Sequence, residues 1–279
     1  MTQTPRITGA TRLYAIIGDP IAQVRSPETF TERFAAAGLD AVMLPVHVPI
    51  DRFDVIVPAL VKIGNLDGLL VTVPFKARMV AFATRLGATG RTVGAVNALR
   101  REDDGSWTGD MFDGLGFVRG AEAKGERVRG RRVALFGAGG AGSAIACALA
   151  DAGAKSIAIV DPDAAKARAL VERLSRSFPD RAFETAERLP RDADMVVNAS
   201  PVGMKPDDVL PADIGPLDPD TLVGDVVITP TPTALIRHAI RFGCRWVDGR
   251  EMHAGQADAI TAFFTSVSRA ARDERSAAR

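Results

Sequence analysis

Two aspartates stand three positions apart in the stretch GDMFDG, where Met111 and Phe112 separate Asp110 from Asp113. A carboxylate held beside apolar side chains can take part in proton transfer, because a low local dielectric strengthens its interaction with a partner charge. The same stretch could instead be a turn with two solvated acids, and Asp113 could cap a following helix. These six residues leave open which aspartate, if either, does chemistry.

A glycine-rich stretch, GAGGAG, points to the binding of a dinucleotide. It follows an apolar run and precedes a segment with helical spacing. In such a loop the first glycine permits a tight turn, the second lets the backbone approach a pyrophosphate, and the third lets helix and strand pack closely. We predict a cofactor-binding loop; the alternative is an ordinary strand–turn–helix connection. Its residues are Gly137, Ala138, Gly139, Gly140, Ala141 and Gly142.

An acid at the end of the next apolar run indicates which dinucleotide binds. Asp161 follows Gly142 by 19 residues. A carboxylate at this place accepts hydrogen bonds from the adenosine ribose and repels a 2′-phosphate. Pro162 stands where an arginine would help to bind that phosphate, and Lys166 and Arg168 fit a solvated helix face. The predicted cofactor is NAD, with NADP as the alternative.

Composition and charge exclude several classes of protein. The chain has 279 residues, 47% of them hydrophobic and 25% charged, which is typical of globular proteins. Its net charge of +1 gives no field that would attract nucleic acid or an anionic membrane. It has no run of 18 apolar residues, no signal-peptide pattern, and no cysteine or histidine spacing typical of a metal site. We expect a cytoplasmic protein without metal, nucleic-acid or membrane partners.

Strand-like and helix-like segments alternate along the whole chain. Runs such as AVMLPVHV and LDGLLVTV are separated by segments whose apolar residues recur at helical spacing. This alternation is typical of βαβ units and parallel sheets. It predicts one helix with Ser26 as N-cap, a second over Phe53–Leu60, and a third over Phe75–Leu86. The last helix is predicted to begin at about Gln256.

Five motifs in fixed order make the chain resemble the shikimate dehydrogenase family over nearly its whole length. They are VTVPFK, GAVNAL, GDMFDG, GAGGAG and DGREMHAGQ. The resemblance implies an α/β fold with an N-terminal α/β substrate domain and a Rossmann cofactor domain whose parallel sheet is doubly wound. The substrate domain is expected over residues 1–113, completed by a C-terminal helix over 250–279. The Rossmann domain is expected over 114–249.

The resemblance also implies roles for individual residues. Lys76 and Asp113 match the family's catalytic pair, although by themselves they would fit a solvated lysine and a helix cap. Polar residues expected to hold the substrate's carboxylate and hydroxyls are Ser26, Thr72, Asn97 and Gln256. Residues expected near the ribose and nicotinamide of the cofactor are Asn198, Ala199, Ser200 and Gly249. A plain loop is the alternative for the segment NASPVGM.

Four positions depart from the family pattern. Val24 stands where the family usually has serine, Met111 and Phe112 where it has asparagine and threonine, and Ile228 where tyrosine is common. We expect the four side chains to lie near one another in the substrate cleft. Lost hydrogen-bonding groups weaken the binding of a polyhydroxy acid by about 1 kcal/mol or more per contact.

The expected activity is hydride transfer between a nicotinamide and a secondary hydroxyl of an alicyclic hydroxy acid. Shikimate, quinate, an aminated shikimate analogue and a less polar ring alcohol are the substrates to consider. A metabolite-sensing homologue without activity is an alternative, which the presence of both Lys76 and Asp113 argues against. A folate-type methylene dehydrogenase would not explain VTVPFK and GAVNAL together. A monomer or a homodimer is expected.

Overall fold

The computed structural model describes residues 7–205 and 207–266, and these form two compact units. The first unit contains the described residues up to Met111 together with those from Ala257 onward. The second unit contains Phe112–Gln256. The predicted continuation of the last helix to residue 279 lies outside the described residues, and the domain limits drawn from the sequence stay a prediction.

The first unit is built on a six-stranded mixed sheet. Its strand order is β2-β1-β3-β5-β6-β4, with β1 parallel to β2 and β3, and with β5 antiparallel to β3 and β6. The strands are β1 (Arg12–Gly18), β2 (Ala41–His47), β3 (Leu66–Val71), β4 (Arg85–Leu86), β5 (Ala98–Arg101) and β6 (Trp107–Asp110). The helices are α1 (Ser26–Ala36), α2 (Phe53–Leu60) and α3 (Ala88–Val93), with 3₁₀ turns at Ile50–Arg52 and Arg78–Phe82.

Strand β3 lies at the centre of this sheet because its side chains can be buried on both faces. All six of its residues are buried, and apart from Asp67, which pairs with Arg12, the run has no polar side chain, as a strand covered on both faces requires. Gly68 leaves room for two rings: a Cβ there would lie 2.5 Å from Cδ1 of Tyr14 and 2.8 Å from Cε1 of Phe264. The rings of Tyr14 and Phe264 are 5.0 Å apart and join α8 to the sheet. Helix α8 (Gly249–Thr265) thereby completes the core of the first unit.

Two helix predictions for the first unit are wrong in detail. Helix α1 begins at Ser26 itself, so that Arg25 is the N-cap and the buried Ser26 is the first helical residue. The helix predicted over Phe75–Leu86 is replaced by a 3₁₀ turn and the short strand β4. The reason is tertiary pairing, because β4 forms backbone hydrogen bonds with β6 that a helix would forgo.

The second unit has the predicted Rossmann architecture. Its sheet has the order β12-β11-β10-β7-β8-β9, all strands are parallel, and the order reverses between β7 and β10. The strands are β7 (Arg132–Phe136), β8 (Ser156–Val160), β9 (Ala182–Thr185), β10 (Met195–Asn198), β11 (Leu222–Asp225) and β12 (Arg245–Val247). Besides α8, the helices are α4 (Asp113–Ala123), α5 (Gly140–Asp151), α6 (Ala164–Ser177) and α7 (Ala234–Arg241).

Helices cover both faces of this sheet, and the alternation of side chains along each strand shows how. Val197 of β10 belongs to a core cluster with Leu149 of α5 and Leu170 of α6. Its neighbour Val196 belongs to a cluster on the other face, with Ile236 of α7. Successive residues of a strand point to opposite faces, so a strand buried on both faces has to be apolar throughout. The doubly wound parallel sheet predicted from the sequence is therefore confirmed.

Helix α8 begins at Gly249, seven residues before the start at about Gln256 that the residue pattern predicts and one residue before the start at 250 that the resemblance implies. Its first turn is capped by Asp248 and Glu251: the Asp248 N–H donates to Oε2 of Glu251 at 2.8 Å, and Oδ1 of Asp248 accepts from the Arg250 N–H at 2.7 Å. Such reciprocal capping satisfies backbone groups that the first helical turn leaves unpaired. Gly249 and Gly255 have low helix propensity, so propensity alone did not predict the start of this helix.

Three glycines of α4 let neighbouring helices approach its backbone closely. A Cβ on Gly114 would overlap the carbonyl oxygen of Ala144 in α5 and lie 2.7 Å from Cβ of Ala148. A Cβ on Gly116 would lie 2.5 Å from the carbonyl oxygen of Met252 in α8, and one on Gly120 would lie 2.8 Å from the Glu251 carbonyl. Helix α4 is therefore fixed between α5 and α8 by contacts that no other residue type permits.

We expect Gly114→Ala to destabilise the protein by about 1–3 kcal/mol, because the added methyl group meets backbone atoms that cannot move aside. The direction of the change in stability identifies the clash, because a substitution of glycine by alanine inside a helix otherwise stabilises a protein by up to about 1 kcal/mol. Urea denaturation measures the change. Gly9→Ala is the matched control, because nothing lies within 4 Å of a Cβ at that exposed position. An unchanged or increased stability of Gly114→Ala would contradict the close approach of α4 and α5.

Candidate active site

Three of the expected site residues of the first unit meet at one edge of its sheet. Thr72 and Lys76 follow the carboxyl end of β3, and Asn97 precedes the amino end of the antiparallel β5. The Asn97 carbonyl accepts from the Val71 N–H at 2.8 Å, and the Lys76 carbonyl accepts from the Val96 N–H at 3.0 Å. These two hydrogen bonds fix the VTVPFK and GAVNAL segments side by side.

The loop after β1 starts from the same edge of the sheet. It leads to Ser26, which is buried at the start of α1, and Val24 in this loop is half-buried. The buried Asn97 also lies at this edge. A buried hydroxyl and a buried amide are costly unless hydrogen-bonded, so sites that place them near loop ends are suited to polar ligands.

The two aspartates of GDMFDG have different structural positions. Oδ1 of Asp110 accepts from the backbone N–H of Gly90 at 2.7 Å and of Met111 at 2.9 Å, so its carboxylate caps the first turn of α3. The Asp110 carbonyl also accepts from the Asn97 N–H at 3.0 Å. A Cβ on Gly87 would overlap this carboxylate, which shows how tightly it is held. Asp110 therefore has a structural role, and it supports Asn97.

Asp113 lies in the second unit and is only 3% exposed. It is the first residue of α4, and the N-cap is Phe112, so the alternative in which Asp113 itself caps the helix is not found. Negative charge is favourable at this end of a helix. One turn later, a Cβ on Gly116 would lie 2.9 Å from Cβ of the buried Gln256 in α8. The structure therefore places Gln256 beside the first turn of the helix that carries Asp113.

Three of the four glycines of GAGGAG have the geometry that a dinucleotide-binding loop requires. Gly137 has φ of 101°, and a Cβ there would lie 2.9 Å from the carbonyl carbon of Ala199. Gly139 is the exposed N-cap of α5, with nothing within 4 Å of a Cβ. A Cβ on Gly142 would overlap the carbonyl of Gly137. The loop is therefore closely packed at Gly137 and Gly142, and the space around Gly139 is open. Such an opening at the start of α5 suits a pyrophosphate.

Asp161 follows β8 and is tied directly to this loop. Its Oδ2 accepts from the Ala138 N–H at 2.7 Å, and its Oδ1 accepts from the Asp163 N–H at 2.8 Å. A carboxylate has about four acceptor positions, so both oxygens keep capacity for the hydroxyls of a ribose. Lys166 pairs with Asp163 at 3.5 Å and is exposed. The residues present fit a dinucleotide.

Asn198 shapes the loop after β10. Its Nδ2 donates to the Val202 carbonyl at 2.8 Å and to Oδ1 of Asp225 at 3.0 Å. Its Oδ1 accepts from the N–H of Ser200 at 3.1 Å and from its hydroxyl at 2.6 Å. Asn198 is 1% exposed. The loop predicted to approach the cofactor is therefore folded around the Asn198 amide.

Sequence reasoning missed Asp225, which lies at the end of β11 and is also 1% exposed. Burial raises the pKa of its carboxyl to about 6, while hydrogen bonds from Thr233, Val227 and Asn198 act in the opposite direction. A signal was present in the sequence, since LVGDVVI ends a buried strand with an acid. Ligands of open parallel sheets bind at such strand ends.

The four departures from the family pattern are divided between the units. Val24 and Met111 belong to the first unit, and Phe112 and Ile228 to the second. Met111 is buried, and the other three are half-buried. Cγ1 of Ile228 would lie 2.6 Å from a Cβ on Gly249, so the glycine at the start of α8 makes room for this side chain. The expected proximity of all four side chains stays a prediction.

No helix within residues 7–205 and 207–266 is long and apolar enough to cross a membrane. Within the same ranges, no group of three or more histidine, cysteine or acidic side chains is arranged to hold a metal ion. Both cysteines, Cys147 and Cys244, are free thiols.

Comparison with known proteins agrees with this geometry. Residues 16–99 match the shikimate dehydrogenase substrate binding domain, and residues 115–172, which include the glycine loop, match the ThiF family. Shikimate 5-dehydrogenase from Listeria monocytogenes, solved with shikimate and NAD, is 31% identical, with a TM-score of 0.80 over 99% of both chains. Quinate dehydrogenase from Corynebacterium glutamicum, solved with NAD, is 28% identical, with a TM-score of 0.80 over 94% of this chain and 98% of the other.

A curated relative extends the likeness to nearly the whole sequence. Shikimate dehydrogenase (NADP(+)) from Rubrobacter xylanophilus is 37% identical over 255 residues, which cover 89% of this chain and 88% of the relative. The resemblance of the five motifs is therefore confirmed, as are the fold class and the class of enzyme, an oxidoreductase acting on a CH–OH group. The chain belongs to the shikimate dehydrogenase family.

Proposed function

We propose that the protein is an NAD-dependent dehydrogenase that interconverts a secondary hydroxyl and the corresponding ketone of an alicyclic hydroxy acid such as shikimate. Quinate and an aminated shikimate analogue are the alternative substrates. One observation carries the proposal: at a single edge of the second unit's sheet, Asp161, the open glycine loop and the Asn198 loop follow the neighbouring strands β8, β7 and β10. This row of three features matches, in order, the adenosine ribose, the pyrophosphate and the nicotinamide half of a dinucleotide.

The row would hold the cofactor from one end to the other. Asp161 accepts hydrogen bonds from the adenosine ribose, and the N–H groups at the start of α5 bind the pyrophosphate. The loop after β10 and Gly249 at the start of α8 lie on the other side of the glycine loop, where the second nucleoside extends. When bound, the nicotinamide accepts a hydride from the carbinol carbon and returns one in the reverse direction.

The preference for NAD follows from the charge of Asp161. Its carboxylate is held in place by two backbone N–H groups, so it cannot turn away from a 2′-phosphate without losing them. Lys166, which could neutralise such a phosphate, is paired with Asp163. The relative from Rubrobacter is named for NADP(+), and among the similar structures two were solved with NAD and two with NADP. NADP is therefore the alternative that the experiment has to decide.

Lys76 and Asp113 form the proposed catalytic pair. Oxidation of an alcohol releases the hydroxyl proton, and a lysine beside a carboxylate in a partly dry site can orient the hydroxyl and transfer that proton to water. Lys76 is half-buried at the sheet edge of the first unit, and Asp113 is buried at the start of α4. The apolar Met111 and Phe112 between the two aspartates would limit water around the pair.

The substrate's carboxylate and remaining hydroxyls would be held by the four polar residues Ser26, Thr72, Asn97 and Gln256, of which all but Thr72 are buried. The apolar residues at the four departures offer these groups no hydrogen bonds. Their replacement of polar side chains favours a substrate less polar than shikimate, or weak binding of shikimate itself. Turnover over a panel of alicyclic hydroxy acids, with NAD and NADP in turn, tests the proposed function as a whole.

We expect Asp113→Asn to lower kcat by about 100-fold or more, because it removes the carboxylate charge from the catalytic pair. The affinity for the dinucleotide should change little. Asp110→Asn is the matched control: its new amide oxygen can still accept from Gly90, so the loss of activity should be far smaller. Steady-state kinetics and cofactor titration give both values. Equal damage from the two substitutions would show that the catalytic carboxylate is wrongly assigned.

For the cofactor, we expect kcat/KM to be about tenfold or more higher with NAD than with NADP, because Asp161 repels the 2′-phosphate. Asp161→Ser should reduce that ratio, and Lys166→Ala should leave it unchanged. A native preference for NADP would contradict the proposal. In that case Lys166→Ala or Arg168→Ala should weaken NADP binding, which would show that one of these exposed cations binds the phosphate.

At the first departure, we expect Val24→Ser to lower the KM for shikimate about fivefold, the equivalent of one restored hydrogen bond of about 1 kcal/mol. Val24→Ala is the control, because it removes the same bulk without adding a hydroxyl. Steady-state kinetics of the native protein and both variants give KM and kcat in the same measurements. If both variants change the KM alike, the valine affects the site through its size, and position 24 does not contact the substrate's polar groups.

A further inference from the structure

Asp225 is a buried carboxylate in the second unit to which the proposed function assigns no role. Its Oδ1 accepts from Nδ2 of Asn198 at 3.0 Å and from the Val227 N–H at 3.1 Å, and its Oδ2 accepts from the Thr233 hydroxyl at 2.6 Å. All three donors are neutral. Within residues 7–205 and 207–266, no lysine, arginine or histidine forms an ion pair with Asp225. A buried negative charge of this kind is costly unless something else compensates it.

The register of the sheet places Asp225 in the row that would hold the dinucleotide. Phe136 at the end of β7 pairs with Asn198, and Asn198 pairs with Asp225. Neighbouring strands lie about 4.8 Å apart, so Asp225 is two strand spacings from the start of the glycine loop. Asp161 lies on the opposite side, after β8. A dinucleotide with its adenosine ribose at Asp161 and its pyrophosphate at the loop extends its nicotinamide half toward Asp225.

The charge of that half depends on its oxidation state, since the oxidised nicotinamide ring is a cation and the reduced ring is neutral. We propose that the uncompensated charge of Asp225 makes the site bind the oxidised dinucleotide in preference to the reduced one. Asp225 is thus a specificity-determining residue for the redox state of the cofactor. The inference rests on the proposed binding of a nicotinamide dinucleotide, and it adds to that proposal the reason for a buried acid at the end of β11.

If Asp225 had only a structural role, the ratio of the affinities for the oxidised and the reduced cofactor would not depend on its charge. Asp225 joins the loop after β10, the loop after β11 and Thr233, the N-cap of α7. In Asp225→Asn the new amide oxygen keeps the bonds from Asn198 and Val227, and its NH₂ group can donate to the Thr233 hydroxyl once that hydroxyl turns. The substitution therefore removes the charge and retains the three hydrogen bonds.

The charge can also be removed by pH. Burial and, to a smaller extent, the charge of Asp248 after β12 raise the pKa of Asp225 to about 6, against the effect of its hydrogen bonds. Other charged groups on the adjoining elements are Arg250 and Glu251 of α8, Arg237 and His238 of α7, and Lys205 and Asp208 of the loop after β10. Arg250 and Arg237 donate to carbonyl groups of residues 229–232. The preference for the oxidised cofactor should exist above about pH 6 and disappear as the pH falls below it, when the carboxyl gains its proton.

The test is the ratio of the dissociation constants of NAD+ and NADH, measured by titration without substrate at pH 8 and pH 5. NADP+ and NADPH replace them if kinetics favour that pair. In Asp225→Asn we expect NAD+ to bind about fivefold or more weakly at pH 8, with NADH binding changed less than twofold. Lowering the pH should shift the ratio toward NADH in the native protein and leave it unchanged in the variant. Thr233→Val, which removes the hydrogen bond to Asp225 and the cap on the Ile236 N–H but keeps the charge, should retain the native ratio.

Two results would overturn the inference. They are an unchanged ratio in Asp225→Asn, including an equal loss of affinity for both redox states, and a pH-independent ratio in the native protein. The last measurement needs no substitution, so it decides the matter even if the variant fails to fold. A native protein that binds none of the four dinucleotides would instead disprove the proposed function. Binding with an unaltered ratio would disprove the role of Asp225 alone.

Discussion

The close approach of α4 to α5 is the constraint on which the second unit's candidate site depends. Gly114 has no side chain, so the backbone of α4 can lie against the carbonyl of Ala144 in the helix that begins at the glycine loop. Gly116 permits the same approach to α8. Helix α4, which carries Asp113, is therefore held against α5 on one side and against α8, which carries Gln256, on the other. Small displacements of either neighbour would move the buried acid.

The carboxyl edge of the second unit's sheet has a charge pattern that matches a nicotinamide dinucleotide. Asp161 follows β8 and Asp225 ends β11, and the N–H groups at the start of α5, which follows β7, lie between them. A ribose donates hydrogen bonds, a pyrophosphate carries negative charge, and an oxidised nicotinamide carries positive charge. In the proposed binding mode, each part of the ligand would meet the complementary electrostatic environment, which would fix its direction along the edge.

Asp110 and Asp113 show how the same residue type, three positions apart, can serve different purposes. Asp110 ends a strand, caps α3 and accepts from the backbone of Asn97, so it stabilises the loop that carries the amide proposed to bind substrate. Asp113 starts a helix in the other unit and is buried there. The chain passes from one unit to the other between Met111 and Phe112, so two apolar residues separate a structural acid from the candidate catalytic one.

The sequence by itself determined the architecture, because strands buried on both faces must be apolar and glycines are needed where backbones meet. The Rossmann sheet and the glycine loop with Asp161 followed from such local rules, and the family followed from the resemblance of five motifs. Only the tertiary structure decided that Arg85–Leu86 is a strand and that Asp225 is buried with neutral partners. These features depend on pairing and capping partners far away in the chain. Local periodicity carries no information about such partners, because they are brought together only when the sheet and helices have packed.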